Sequence, residues 1–155
     1  MKADKTVDYH IKSGWHAISR MYNSFAAQFD MTMAIGYVLL NIDKNGTPAT
    51  KIAPALGLEP RSLTRMLKTL EEKNWIRRET DDNDKRIVNV FLTEEGKLKR
   101  DQAKKGVIVF NNLVYEKVGE EKLNIFFEVM KEVSKIVETE SANYKADSIS
   151  DMITE

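Results

Sequence analysis

The chain has 155 residues, 42% of them apolar and 31% charged, and its 24 basic side chains balance 24 acidic ones. This suits one soluble globular domain, being too apolar for a disordered tail and too charged for a membrane protein. The absence of cysteine excludes disulfide scaffolds, thiolate chemistry and cysteine-ligated metal sites, and two histidines, His10 and His16, leave little for a metal centre or a Ser–His–Asp triad.

The opening segment, Met1 to Asp8, is polar and lacks the apolar centre of a secretion signal. The most apolar run, Met31 to Leu40, falls far short of the ~20 residues that span a bilayer. A cytoplasmic protein with no membrane partner is expected. Ile11, Trp15, Ile18, Tyr22, Phe25 and Phe29 then recur at alternating steps of four and three, which predicts a helix of about five turns. Ala34 to Ile42 is apolar nearly all round and reads as a buried helix, ended by a turn at Asn45-Gly46.

Thr47-Pro48 reads as a helix start, with Thr as cap and Pro in the first turn. Ile52, Ala53 and Leu56 form a short apolar face, and Gly57 stops the helix. Pro54 removes one hydrogen bond inside it, so an irregularity is expected there. Glu59-Pro60 opens a further helix, with Leu63, Met66, Leu67 and Leu70 inward and Asn74 as its stop. The period then changes to two. Trp75–Glu79 and Ile87–Leu92 read as strands of a hairpin, joined by the polar tip Thr80–Arg86.

Thr93 caps a helix that starts with Glu94 and Glu95 and runs to about Val118, where Gly119 interrupts it. A last helix carries Leu123, Phe126, Phe127, Met130, Val133, Ile136 and Val137 on one side. The expected organisation is a single, mainly α domain with a minor β part. Residues 1–46 form N-terminal dimerisation and scaffold helices, 47–92 a winged helix-turn-helix lobe, 93–143 long C-terminal dimerisation helices, and 144–155 a flexible tail. The terminal helices leave wide apolar stripes with no further element to cover them, which predicts a homodimer using both chain ends. An intramolecular bundle burying the same stripes is the alternative.

A short helix, a glycine turn, a helix and a hairpin in that order outline a winged helix-turn-helix. At 100° per residue, Leu63, Met66, Leu67 and Leu70 fall within a sector of about 100°. Arg61, Arg65 and Lys68 cluster opposite, flanked by Ser62, Thr64 and Thr69. Such a face suits the major groove, where Arg reads guanine bidentately and hydroxyls and Lys hold phosphates or base edges. A solvated charged face is the other reading. At the hairpin tip, Lys85 and Arg86 suit an electronegative minor groove. Asp81, Asp82 and Asp84 oppose phosphate, and Asp84 is expected to pair with Arg86 or Arg77 and brace the loop. The tip lacks the Gly and closing Glu of a calcium loop, so no metal is expected, and no cofactor is implied.

Asp84-Lys85-Arg86, followed by Val90-Phe91-Leu92-Thr93-Glu94-Glu95-Gly96, resembles the wing signature of the MarR family (multiple antibiotic resistance regulators). Ser62 to Glu71 resembles the family's recognition helix, and the flanking helices also match. Pro54 and Trp75 depart from the family pattern and bear on helix regularity. The resemblance implies a homodimeric winged-helix transcription regulator, usually a repressor, on a pseudo-palindromic double-stranded operator. It places Ser62, Thr64, Arg65 and Lys68 in the major groove and Arg86 in the minor groove. It also implies release by small aromatic or phenolic effectors. Trp15, His16, Tyr22, Met33 and Tyr37 are the residues available for such a pocket, their other reading being core or dimer packing. A winged-helix protein-interaction module without DNA binding is the alternative function. No nucleophile–base pairing or phosphate loop points to an enzyme.

The zero net charge hides a segregation. Residues 47–100 hold twelve basic against nine acidic side chains, whereas residues 116–155 hold five against ten. A basic lobe and an acidic tail cancel, so neutrality does not argue against a nucleic-acid partner.

Overall fold

The computed structural model describes residues 2–143, so the tail expected over 144–155 lies outside the described residues. After a short 3-10 turn at Ala3–Lys5, the four-three spacing forms α1 (Val7–Ala27). The helix stops before Phe29. Asp30 is left-handed (φ 58°), and the N–H groups of Phe29 and Met31 both turn back to the Ala26 carbonyl. Phe29 keeps the period only because its ring packs edge-on against Phe25, 5.3 Å away.

The Thr32 hydroxyl caps α2 (Met33–Leu40) by accepting the Ile35 N–H at 3.2 Å. The Met33 N–H donates to Asn23 Oδ1 at 3.0 Å and ties the start of α2 to α1. Val38 and Leu39 are fully buried. Asn41 caps the C-terminal end of α2, so the Asn45-Gly46 turn follows the helix rather than ending it.

Thr47-Pro48 corrects the reading from sequence. These two residues form a strand, β1 (Thr47–Pro48), and the Thr47 hydroxyl accepts the Asp43 N–H at 2.9 Å, closing the preceding turn instead of capping a helix. Pro48 needs no ladder donor on a sheet edge and serves as the N-cap residue of α3 (Ala49–Leu56). α3 runs through Pro54 to Leu56. Left-handed Gly57 (φ 60°) ends it, with the Leu58 N–H returning to the Ala53 carbonyl. Pro60 occupies the first turn of α4 (Pro60–Glu72), which buries Leu63, Leu67 and Leu70 and partly buries Met66. Left-handed Asn74 (φ 57°) follows its end.

The expected hairpin is β2 (Ile76–Thr80) against β3 (Val88–Leu92), antiparallel with Arg78 opposite Val90. β1 adds to the other edge of β3, giving the order β1-β3-β2. Thr93 then caps α5 (Glu94–Val118) by accepting the Gly96 N–H at 3.0 Å. Gly119 (φ 88°) separates α5 from α6 (Glu120–Asn143). The fold is mainly α, with a winged helix-turn-helix and flanking N- and C-terminal helices. No helix among the described residues is long and apolar enough to cross a membrane.

The chain divides into two compact units, residues 1–109 and 110–155. The first holds a continuous core that includes Met31, Val38, Leu39, Ile52, Leu63, Leu70, Ile76 and Val90. In the second, Leu123 is buried while Phe126, Phe127, Ile136 and Val137 are exposed.

Trp75 joins several elements of the first unit. Its N–H donates to the Leu70 carbonyl at 2.9 Å, and its carbonyl accepts the Thr93 N–H at 3.1 Å. Its buried indole N–H donates to Glu95 at 3.1 Å. The ammonium groups of Lys73 and Lys99 sit 4.7 and 4.9 Å from the ring centre. The same lysines donate to the carbonyls of Asp30 (3.3 Å) and Phe29 (2.8 Å) just past α1. α5 comes so close to this point that a Cβ on Gly96 would lie 1.8 Å from the Trp75 carbonyl oxygen. Backbone on both sides leaves no side chain to rotate away, so Gly96→Ala should lower stability by at least about 2 kcal/mol. Urea unfolding measures this, and a wild-type midpoint would show that the contact is not close.

Candidate nucleic-acid interface

α4 is amphipathic because its leucines recur at steps of four and three, which puts the intervening positions on the opposite face. Arg61, Ser62, Thr64, Arg65, Lys68 and Thr69 are all exposed there. The Thr64 hydroxyl donates to the Pro60 carbonyl (3.0 Å) and the Thr69 hydroxyl to the Arg65 carbonyl (3.2 Å), which fixes both rotamers and leaves each oxygen able to accept. Lys68 lies 3.8 Å from Glu72, and both side chains are more than 60% exposed, so this pair holds the lysine weakly. Arg61 and Arg65 have no ion-pair partner among the described residues.

The other cations near this face have different tasks. Arg78 reaches across from β2 to Glu71 on α4, with Nε 3.0 Å from Oε2. The hydrogen bond from Arg78 holds the Glu71 carboxyl below its ordinary range, and Glu71 in turn holds the guanidinium protonated. Arg77 pairs with Glu79 at 2.8 Å and lies 4.5 Å over the Phe91 ring. Lys73 belongs to the Trp75 cluster. Six cations lie from Arg61 to Arg78, and three of them, Arg61, Arg65 and Lys68, are exposed on the face of α4 opposite its buried leucines.

At the wing tip, Asp84 accepts from Arg86 three times: Oδ1 from the backbone N–H (3.0 Å) and Nε (3.1 Å), Oδ2 from Nη2 (3.1 Å). Lys85 lies 3.6 Å from Asp82, with both side chains open to solvent. Asp81 Oδ1 accepts the N–H groups of Asn83 (2.9 Å) and Asp84 (3.1 Å), and Oδ2 accepts from Asn89 Nδ2 (3.2 Å). Those bonds, led by the Asn83 N–H, lower the Asp81 pKa, and the Arg86 side chain lowers that of Asp84. Both carboxylates are therefore ionised at neutral pH. Among the described residues no group of three or more acidic or histidine side chains is placed to hold a metal ion.

Four of the five residues singled out for a ligand lie together. The rings of Trp15 and Tyr37 stack at 6.5 Å and 12°, and Tyr22 meets Tyr37 edge-on at 6.3 Å. Two hollows share Met33 and Tyr37. One, a narrow hollow, is completed by Tyr22, Phe25, Ala26, Gly36, Leu40, Ala103 and Val107, and the other by Trp15, Ala55, Leu56 and Leu58 among others. No charged side chain lines either hollow. Burial raises the pKa of both Tyr22 and Tyr37, keeping the phenols neutral. His16 is not brought to this cluster; it lines a separate surface hollow of α1 with Tyr9, Lys12, Ser13 and Arg20.

The sequence pattern of the MarR family matches residues 37–88. Over 111 residues the chain is 30% identical to the uncharacterised HTH-type transcriptional regulator YhbI of Bacillus subtilis, covering 71% of this chain and 72% of YhbI. The chain belongs to the MarR family. It is also 33% identical over 95 residues to the transcriptional regulator TtmR of Methylorubrum extorquens, an alignment that takes in 61% of this chain and about half (49%) of TtmR. The S. aureus MepR–DNA complex matches with a TM-score of 0.71 at 26% identity, over 84% of this chain and 98% of MepR. MarR-family proteins are DNA-binding regulators rather than enzymes.

In this MarR-family chain, Asp81 stands out from sequence only as a charge opposed to phosphate, although an aspartate in a polar loop also signals a turn closed by its side chain onto the N–H two residues on. From sequence, Arg77 is expected only as an alternative partner of Asp84, which pairs with Arg86 instead, and Arg78 has no assigned role. Arg77 pairs with Glu79 two residues along β2 and lies over Phe91 of the next strand, whereas the partner of Arg78, Glu71, lies on α4, where no local pattern indicates it.

Proposed function

We propose that this chain is a cytoplasmic, sequence-specific regulator of transcription that binds double-stranded DNA as a homodimer and represses a pseudo-palindromic operator. The observation that carries this reading is the outward face of α4, with Arg61, Arg65 and Lys68 opposite three buried leucines, beside a wing that presents Lys85 and Arg86. Arg65 and its neighbours Ser62, Thr64, Lys68 and Thr69 contact base edges and phosphates in the major groove, and Arg86 enters the minor groove. Two copies are required by this account, because a palindrome matches a twofold dimer whose reading helices lie about 34 Å apart. Exposed Ile11 and Trp15 on α1, with Phe126, Phe127, Ile136 and Val137 on α6, supply apolar surface for that pairing.

The aromatic hollows are the site of an effector that releases the DNA. Neutral tyrosines and the lack of a lining cation suit an uncharged phenol or planar aromatic rather than an aryl carboxylate, whose charge would go unpaired. A neutral phenol titrated into the protein–duplex complex should therefore release DNA, and the benzoate with the same substituents should not. Equal release by both would contradict this ligand class.

Arg65→Ala should cost roughly 1–3 kcal/mol of operator affinity and relax the preference at one base pair. Lys85→Ala should weaken all duplexes alike and reduce the salt slope by about one. Anisotropy titrations at several salt concentrations distinguish the two effects. Wild-type binding by both variants would overturn the assignment, and no duplex binding at low salt by the wild type would favour a protein-interaction module.

A further inference from the structure

The Arg86 side chain is 91% exposed, and a side chain so exposed ordinarily samples many rotamers. Here Asp84 holds it at two atoms, Nε and Nη2, and holds the Arg86 backbone N–H as well. Asp84 is placed in turn by its backbone N–H, which donates to Asp81 Oδ1 at 3.1 Å beside the N–H of Asn83 at 2.9 Å. The second Asp81 oxygen accepts from Asn89, a residue of β3 in register with Glu79 of β2. Backbone bonds close the same loop, from the Asp81 N–H to the Ile87 carbonyl and from the Ile87 N–H to the Asp84 carbonyl, both 2.9 Å. One carboxylate thus links the sheet to the loop, and the loop to the residue that orients the arginine.

A carboxylate at a wing tip repels phosphate, so on charge alone Asp81 weakens binding. Order acts in the opposite direction. A loop already fixed in the free protein loses less conformational freedom when its arginine enters a groove. We infer that Asp81 is a positioning residue for DNA binding, acting through Asp84 to present Arg86, and that this ordering outweighs its charge. The inference rests on the DNA-binding reading above.

The test compares wild type, Asp81→Ala, Arg86→Ala and the double variant. Each is titrated at one salt concentration against the duplex that the wild type selects best from a random pool. Nitrogen-15 relaxation of the amides of Asn83, Asp84 and Arg86 is recorded on the free proteins. Asp81→Ala should bind about three- to tenfold more weakly than wild type, with faster motion at those amides. In the Arg86→Ala background the same change should bring no loss, because only the charge effect remains. Wild-type or tighter binding by Asp81→Ala, an equal loss in both backgrounds, or unchanged wing amides would each overturn the inference while leaving the DNA-binding reading in place. A wild type that selects no duplex would overturn that reading, and this inference with it.

Discussion

The buried indole of Trp75 sets the positions of the elements around it. Its backbone receives the end of α4 through Leu70 and the start of α5 through Thr93. Its ring N–H must find an acceptor once buried, and Glu95 in the first turn of α5 supplies one. The two lysines beside the ring carry the outer part of the joint. Carbonyls just past a helix end lack intrahelical donors, and Lys73 and Lys99 satisfy those of Asp30 and Phe29. The end of α1, the end of α4, the start of β2 and the start of α5 therefore meet at one side chain. α4 ends and the wing strand β2 starts at this joint, so the two are fixed to one another.

Charge in the lobe is divided by task. Arg78, Arg77 and Lys73 are occupied by Glu71, by Glu79 and Phe91, and by Trp75, which holds the sheet and α4 in place. Arg61, Arg65 and Lys68 face outward. A count of cations over this segment overstates what is available to phosphate, and the sum over the whole chain understates it, because the acidic surplus lies in residues 116–155. In this account affinity depends on where the few free or weakly paired cations stand, as expected for an interface in which phosphate contacts position the protein and base contacts specify the site.

Boundaries marked by local chemistry were legible in the sequence. Pro60 and Asn74 bracket α4, Thr93 and Gly119 bracket α5, and Gly57 ends α3, because caps and left-handed residues act within one turn of the chain. Thr47-Pro48 was not legible. A threonine before a proline suits a helix start and an edge strand equally, and pairing with Val90 and Asn89, more than forty residues away, decides between them. Phe29 carried the helical period past the real end of α1 because its ring still faces Phe25. Trp75 read as a departure from the family pattern, since the groups that make it a joint come from distant positions. His16 follows Trp15 in sequence but lies about 100° further round the helix, which puts it in a different hollow.

The central claim is that two copies of α4 and the wing read DNA together. Hydroxyl-radical footprinting of the wild type on a duplex selected from a random pool tests it most directly. The account predicts two equivalent half-sites centred about ten base pairs apart, each with the backbone protected on both sides of one major groove and along the adjoining minor groove. A single asymmetric footprint, or protection without minor-groove flanks, would contradict it.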